Sequence, residues 1–152
     1  MWYRPPELLL GSDSYDETCD TWGVGCVLAE LLSGVPLIRG KNEMDQIKQM
    51  FELLGQPDML TWPSFKDMPL VREGAMDLLP DRNQFSKFPR LLDNFSYLSA
   101  AGLSLLSQLL SYDYKRRLTA VEGIESDYFR EDPLPSDECS MPKFPIKYNR
   151  GT

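Results

Sequence analysis

Histidine is absent from all 152 residues. Its absence removes Ser-His and Cys-His nucleophile pairs, imidazole acid/base chemistry and most zinc sites. Cysteine does not replace it. There are three, and two of them, Cys19 and Cys26, lie seven apart on what reads as one helix. About 10 Å of axial rise separates them, too far for a disulfide or a shared metal. They read as buried structural thiols, and Cys139, in a Pro-rich tail, has no evident partner. Positive charge is the minority, 16 Lys and Arg against 23 Asp and Glu for a net charge of −7, the wrong sign for neutralising phosphates, which argues against a nucleic-acid partner. Long apolar runs are missing too. The longest, Val24 to Leu32, carries Glu30 and stops at Ser33-Gly34, short of the roughly 20 residues that cross a bilayer. No secretory signal is legible, and a nuclear or cytoplasmic protein with no membrane partner is expected.

What the chain does contain is helix punctuation with almost no strand signal. Asp16 can cap a helix from Glu17 to about Ser33, with Gly34 in the position that favours a left-handed end. Its apolar residues point in all directions, which predicts burial on every side. A second helix starts near Asn42 and spaces Met44, Ile47, Met50, Phe51 and Leu54 three and four apart, ending at Gly55. Prolines recur from Gln56 to about Asn94, a loop-rich stretch of the kind that is functional or inserted. Ser99 can cap a helix carrying Leu103, Leu106, Leu109 and Leu110, and Thr119 with Glu122 forms a capping box for a short last helix. From Glu131 onward Pro133, Pro135, Pro142 and Pro145 predict an extended tail, docked back through Phe144.

Several motifs carry a sharper message. The chain opens W-Y-R-P-P-E (Trp2 to Glu7), followed by D-T-W-G-V-G (Asp20 to Gly25), P-L-I-R-G-K-N-E-M-D-Q-I (Pro36 to Ile47), L-L-G-Q-P (Leu53 to Pro57), Trp62-Pro63 and S-Y-D-Y-K-R-R-L-T-A (Ser111 to Ala120). In order and spacing these resemble the segments of cyclin-dependent protein kinases from the end of the activation loop onward. The ending F-R-E-D-P-L-P (Phe129 to Pro135) resembles the PITSLRE-type subgroup, while P-P-E in place of A-P-E is shared with a transcriptional branch. The resemblance implies a mainly α fold, the lower part of the kinase C-terminal lobe with the N-terminal lobe absent. Residues 1–130 would be a partial kinase domain and 131–152 the tail. No Gly-rich phosphate loop, strand lysine, H-R-D or D-F-G occurs in the chain, and these supply phosphate cradling, base and metal ligands for phosphoryl transfer. No catalytic, cofactor-binding or metal residue is therefore assigned, and ATP and Mg belong to the intact family.

The resemblance also assigns roles. Arg4 would organise, and Trp2 would wall, the pocket behind the phosphoacceptor, which favours proline because proline brings no N–H to satisfy; Trp2 reads almost equally well as a core aromatic. Glu7 and Arg117 would form a buried ion pair, where the residues alone suggest two solvated charges. Asp20 would anchor the catalytic loop, or simply sit at a helix N-terminus where the dipole favours a carboxylate. Gly23 and Gly25 lack the third glycine of a dinucleotide site, and close helix packing explains them better. Asp13, Asp16, Glu17 and Asp20 lack the glycine and terminal glutamate of a Ca²⁺ loop. A cyclin and Ser/Thr-Pro substrates are the implied partners. Lys41, where kinases that bind Cks adaptors carry an acid, argues against a Cks partner. The alternative to a kinase C-lobe fragment is a non-catalytic binding module, or truncated product, that docks kinase partners or substrates.

Overall fold

The computed structural model describes residues 1–78 and 90–143. Among them every regular element is helical. The α-helices are α1 (Pro6–Leu9), α2 (Thr18–Ser33), α3 (Glu43–Leu54), α4 (Pro69–Arg72), α5 (Leu91–Asn94), α6 (Ala100–Leu109) and α7 (Ala120–Ile124), with short 3-10 turns between and after them.

Local chemistry sets most of the boundaries. α1 opens with Pro6 at its first position, where the missing N–H would have had no helical partner. α2 begins one residue later than the capping reading gives, and the Asp16 carboxylate still accepts the Thr18 N–H at 2.9 Å. It ends at Gly34 with φ +78°, in the region that costs other residues most. Asn42 caps α3 by accepting the Asp45 N–H, and Ser99 caps α6 by accepting the Gly102 N–H. The Thr119–Glu122 capping box is complete at α7.

One apolar cluster holds these elements together. Trp22, Cys26 and Ala29 of α2, Ile47, Met50 and Phe51 of α3, and Leu106 with Leu110 at the end of α6 are all buried in it, as are Leu9 and Leu10. Tyr112 stacks on Trp62 at 5.8 Å and meets Phe51 edge-on at 6.0 Å.

Two expectations need correction. α2 is not buried all round: Val24, Val27 and Leu31 are exposed, Leu31 at 79 %. An all-apolar helix calls for partners on every side, and among the described residues α6, the 114–116 turn and the core loops cover only part of its circumference. Close packing explains Gly25, where a Cβ would meet Leu109 and Leu110 at 3.0 Å, but not Gly23, whose nearest neighbour would be the Tyr3 carbonyl at 4.0 Å. Cys26 is buried, Cys19 half-buried and Cys139 exposed, all three unbridged. Burial pushes the Cys26 thiol up to about 12, and Cys19 is also raised by burial, so neither favours the reactive thiolate. The tail from 131 to 143 forms no regular element except a turn at Glu138–Ser140, and it bends at 131–133, where the Asp132–Pro133 peptide is cis, and again at Met141; Phe144 and Pro145 lie outside the described residues.

Candidate substrate-side site

The N-terminal segment folds into two adjoining structures. Residues 1–4 make a turn closed by the Arg4 N–H to the Met1 carbonyl at 3.0 Å, and Pro5-Pro6 then launches α1, which carries Glu7 into the interior.

Glu7 and Arg117 meet there, 110 residues apart in sequence and both with fully buried side chains. Arg117 Nη1 and Nη2 donate to Glu7 Oε1 and Oε2, each at 2.8 Å. Nη1 also donates to the Thr18 carbonyl at 2.9 Å, Nε to the Ser111 carbonyl at 3.0 Å, and Nη2 to the Tyr112 carbonyl at 3.4 Å. All five guanidinium N–H groups are thereby used, the condition under which a buried ion pair can repay its desolvation. The guanidinium also lies 5.1 Å from the Trp22 ring centroid, and the Cys19 thiol donates to Glu7 Oε1 at 3.6 Å. The pair thus ties α1, the first turn of α2 and the 111–117 loop together. Tyr114 adds a second tie, since the Thr18 hydroxyl donates to its carbonyl at 3.2 Å and its own hydroxyl lies 3.3 Å from that of Ser14.

Trp2 and Arg4, by contrast, lie at the surface. Trp2 is 39 % exposed, which sets aside its reading as a core aromatic, and its indole Nε1–H donates to the Gly40 carbonyl at 2.9 Å. Arg4 reaches α3, with Nη1 3.3 Å from Glu43 Oε1 in a half-exposed ion pair. Tyr3 donates its hydroxyl to Glu30 Oε2 at 2.6 Å, which raises the phenol pKa. Asp20 lies exposed on the first turn of α2, and none of the described residues hydrogen-bonds its carboxylate. The structure therefore brings Trp2 and Arg4 together on α3 and its preceding loop, brings Glu7 and Arg117 together in the interior, and leaves Asp20 apart.

Reading the sequence for function passed over Gln46, Gly40 and Tyr112. Gln46 is completely buried, and its spacing from Met50 and Leu53 places it on the inward face of α3, a signal that periodicity contains. Tyr112 shares its hydroxyl between the Gly55 and Met50 carbonyls, at 2.7 and 3.2 Å, and burial raises its pKa well above the ordinary phenol value; nothing in the sequence pattern indicates that bond. Among the described residues there is no cluster of three or more metal-ligating side chains, and no helix long and apolar enough to cross a membrane.

The family model of the protein kinase domain matches residues 1–129. The chain belongs to the protein kinase family, as a helical portion of its C-terminal lobe, and within that family it is of the cyclin-dependent type. It is 45 % identical over 150 residues to Cyclin-dependent kinase 10 of Homo sapiens, covering 99 % of this chain and 40 % of that protein. It is 40 % identical over 147 residues to Cyclin-dependent kinase 11B of Rattus norvegicus, covering 97 % and 32 %. Among solved structures, the yeast RNA Pol II CTD kinase CTDK-1 complex contains a chain that superposes with a TM-score of 0.78 at 38 % identity, covering 89 % of this chain and 43 % of that one. The chain therefore spans at most about two fifths of the length of these curated relatives.

Proposed function

We propose that this chain supplies the substrate side and the structural base of a proline-directed Ser/Thr protein kinase of the cyclin-dependent type. The observation that carries the reading is the Trp2–Arg4 turn, bonded to Gly40 and Glu43 and leading within three residues into the buried Glu7–Arg117 pair. A turn rigidly mounted on a packed hub is what discrimination at a substrate pocket needs. In this reading Arg4 and Trp2 shape the pocket that accepts the residue after the phosphoacceptor, and Asp20 receives backbone N–H groups of a catalytic loop. ATP, Mg²⁺ and the catalytic base belong to segments other than those in this chain. A cyclin is the activating partner, Ser/Thr-Pro proteins are the substrates, and a nuclear or cytoplasmic setting fits this work. Lys41, exposed just after Gly40, does not supply the acid that a Cks adaptor would meet.

The 152-residue chain by itself is then inactive. Incubated with ATP-Mg²⁺ and a Ser-Pro peptide, pure protein free of other kinases should yield no phosphopeptide; formation of phosphopeptide would overturn the assignment. A second reading, a non-catalytic docking module, draws on a groove of about 270 Å³ lined by Val24, Leu28, Leu105, Ile124 and Phe129. Apolar surface of this kind marks a contact site. Pull-down of an intact kinase or cyclin by the inactive chain favours that reading, and failure to retain either removes it.

A further inference from the structure

Gln46 is a fully buried amide on a helix whose other inward residues are apolar. A buried amide is costly unless both its ends are bonded, and here both are. Its Oε1 accepts the Gly40 N–H at 2.8 Å, and its Nε2 donates to the Trp2 carbonyl at 3.0 Å. The Trp2 indole N–H in turn donates to the Gly40 carbonyl at 2.9 Å. Three hydrogen bonds therefore close a ring through Trp2, Gly40 and Gln46, fixing Trp2 at both its backbone and its side chain. The ring is sterically tight as well. A Cβ on Gly40 would fall 2.5 Å from the backbone of Gln46, so only glycine lets the 36–41 loop come this close.

We infer that Gln46 is a positioning residue for the substrate-side pocket, holding the wall that Trp2 provides and, through the same four-residue turn, the place of Arg4. Gln46 touches no substrate in this scheme; it acts through Trp2. The ring supplies what the surroundings of a 39 % exposed tryptophan lack: neither the exposed Arg4–Glu43 pair at 3.3 Å nor the apolar core holds its side chain. The inference rests on the pocket reading of Trp2 and Arg4 given above, and its test separates the two.

The chain contains three tryptophans, and Trp22 and Trp62 are completely buried, so a collisional quencher such as acrylamide reads Trp2 selectively while the other two report whether the fold is intact. In Gln46→Met, similar in volume but unable to make either bond, quenching of the accessible tryptophan is expected to rise toward that of a free indole while the protected fraction stays constant. In a full-length form that carries the kinase's catalytic segments, bound to its cyclin, the same substitution should lower the preference for a Ser-Pro over a Ser-Ala peptide by roughly ten- to a hundredfold through kcat/KM, the upper figure being what a misplacement of about 1 Å costs, with KM for ATP unchanged. Trp2→Phe, at an exposed position on which the core does not depend, keeps a ring, loses the N–H to Gly40 and should reduce the preference in the same direction. This holds even if Gln46→Met fails to fold. Unchanged quenching in folded Gln46→Met overturns the inference and leaves the pocket reading standing. Raised quenching with undiminished Ser-Pro preference overturns the pocket reading, and the inference with it. Undiminished preference in Trp2→Phe does the same.

Discussion

Two ion pairs flank the same short stretch of backbone and differ in almost everything except chemistry. Arg117 and Glu7 are both completely buried, meet through two 2.8 Å bonds and saturate the guanidinium. Arg4 and Glu43, three residues from Glu7 along the chain and at the start of α3, share one contact at 3.3 Å with side chains 48 % and 57 % exposed. Water and salt compensate the second pair when it opens; nothing compensates the first. The contrast shows that position in the packing, not the pairing of charges, decides whether an ion pair is structural. It also divides the labour of the segment: the buried pair mounts the turn on the lobe, and the exposed pair leaves Arg4 available at the surface.

The most severe way to test that contrast is to break the buried pair from one side. Glu7→Gln or Arg117→Met should each cost about 3–5 kcal/mol by denaturant unfolding, because the remaining group stays buried with its charge or its donors unmet. The double variant should lose much less than the sum. Independent effects near zero would show that the pair is no more structural than Arg4–Glu43.

Tyr112, beside the hub, should give an intermediate effect. Tyr112→Phe leaves the Gly55 and Met50 carbonyls without their shared donor, at a cost of about 1–3 kcal/mol, read from the same unfolding curves. An unchanged midpoint would mean that water reaches those carbonyls.

Alkali tests the interior against the surface without a change of charge pairing. Cys26 is raised by burial from 9.0 to about 12 in the folded chain. A raised folded pKa means that the native state keeps its proton where the unfolded state has released it. The stabilisation is therefore complete below pH 9 and is lost as pH climbs toward 12. Cys26→Ala should flatten the slope of stability against pH across that window, measured by urea midpoints at successive pH values. A parallel slope in the variant would assign the alkaline loss to other groups.

Smaller effects belong to the surface. Polar replacement of Val24 and Leu31 on the open side of α2 should reduce binding of a hydrophobic dye while shifting stability by no more than about 0.5 kcal/mol. Dye binding that persists unchanged would place the responsible apolar surface elsewhere and point to a loosely packed core. Arg4→Ala should change stability least, within about 0.5 kcal/mol, and raising salt should not change the outcome. A large loss there would erase the distinction between the two pairs.

Much of this was legible from residue order alone. Asn42, Ser99 and Thr119 cap helices because their side-chain oxygens reach N–H groups three residues on, and Gly34 ends α2 because the left-handed turn disfavours a Cβ. These are interactions within a few residues, so the amino-acid sequence by itself determined α2, α3, α6 and α7 and most of their ends, but not the one-turn helices α1, α4 and α5, which carry no capping side chain. It also carried the ordered motifs that identify a kinase lobe. Only the tertiary structure decided the rest. α2 is apolar on all sides, yet which side stays open depends on where α6 and the core loops lie, and periodicity does not contain that. The same holds for the Trp2–Gly40–Gln46 ring: each residue is ordinary in its own segment, and two of its three hydrogen bonds exist only once residues 38 and 44 apart are brought together. Burial likewise turned Glu7 and Arg117 from two charges in a sequence into a bond with no solvent to replace it, because a charge acquires structural weight only where folding has removed the water around it.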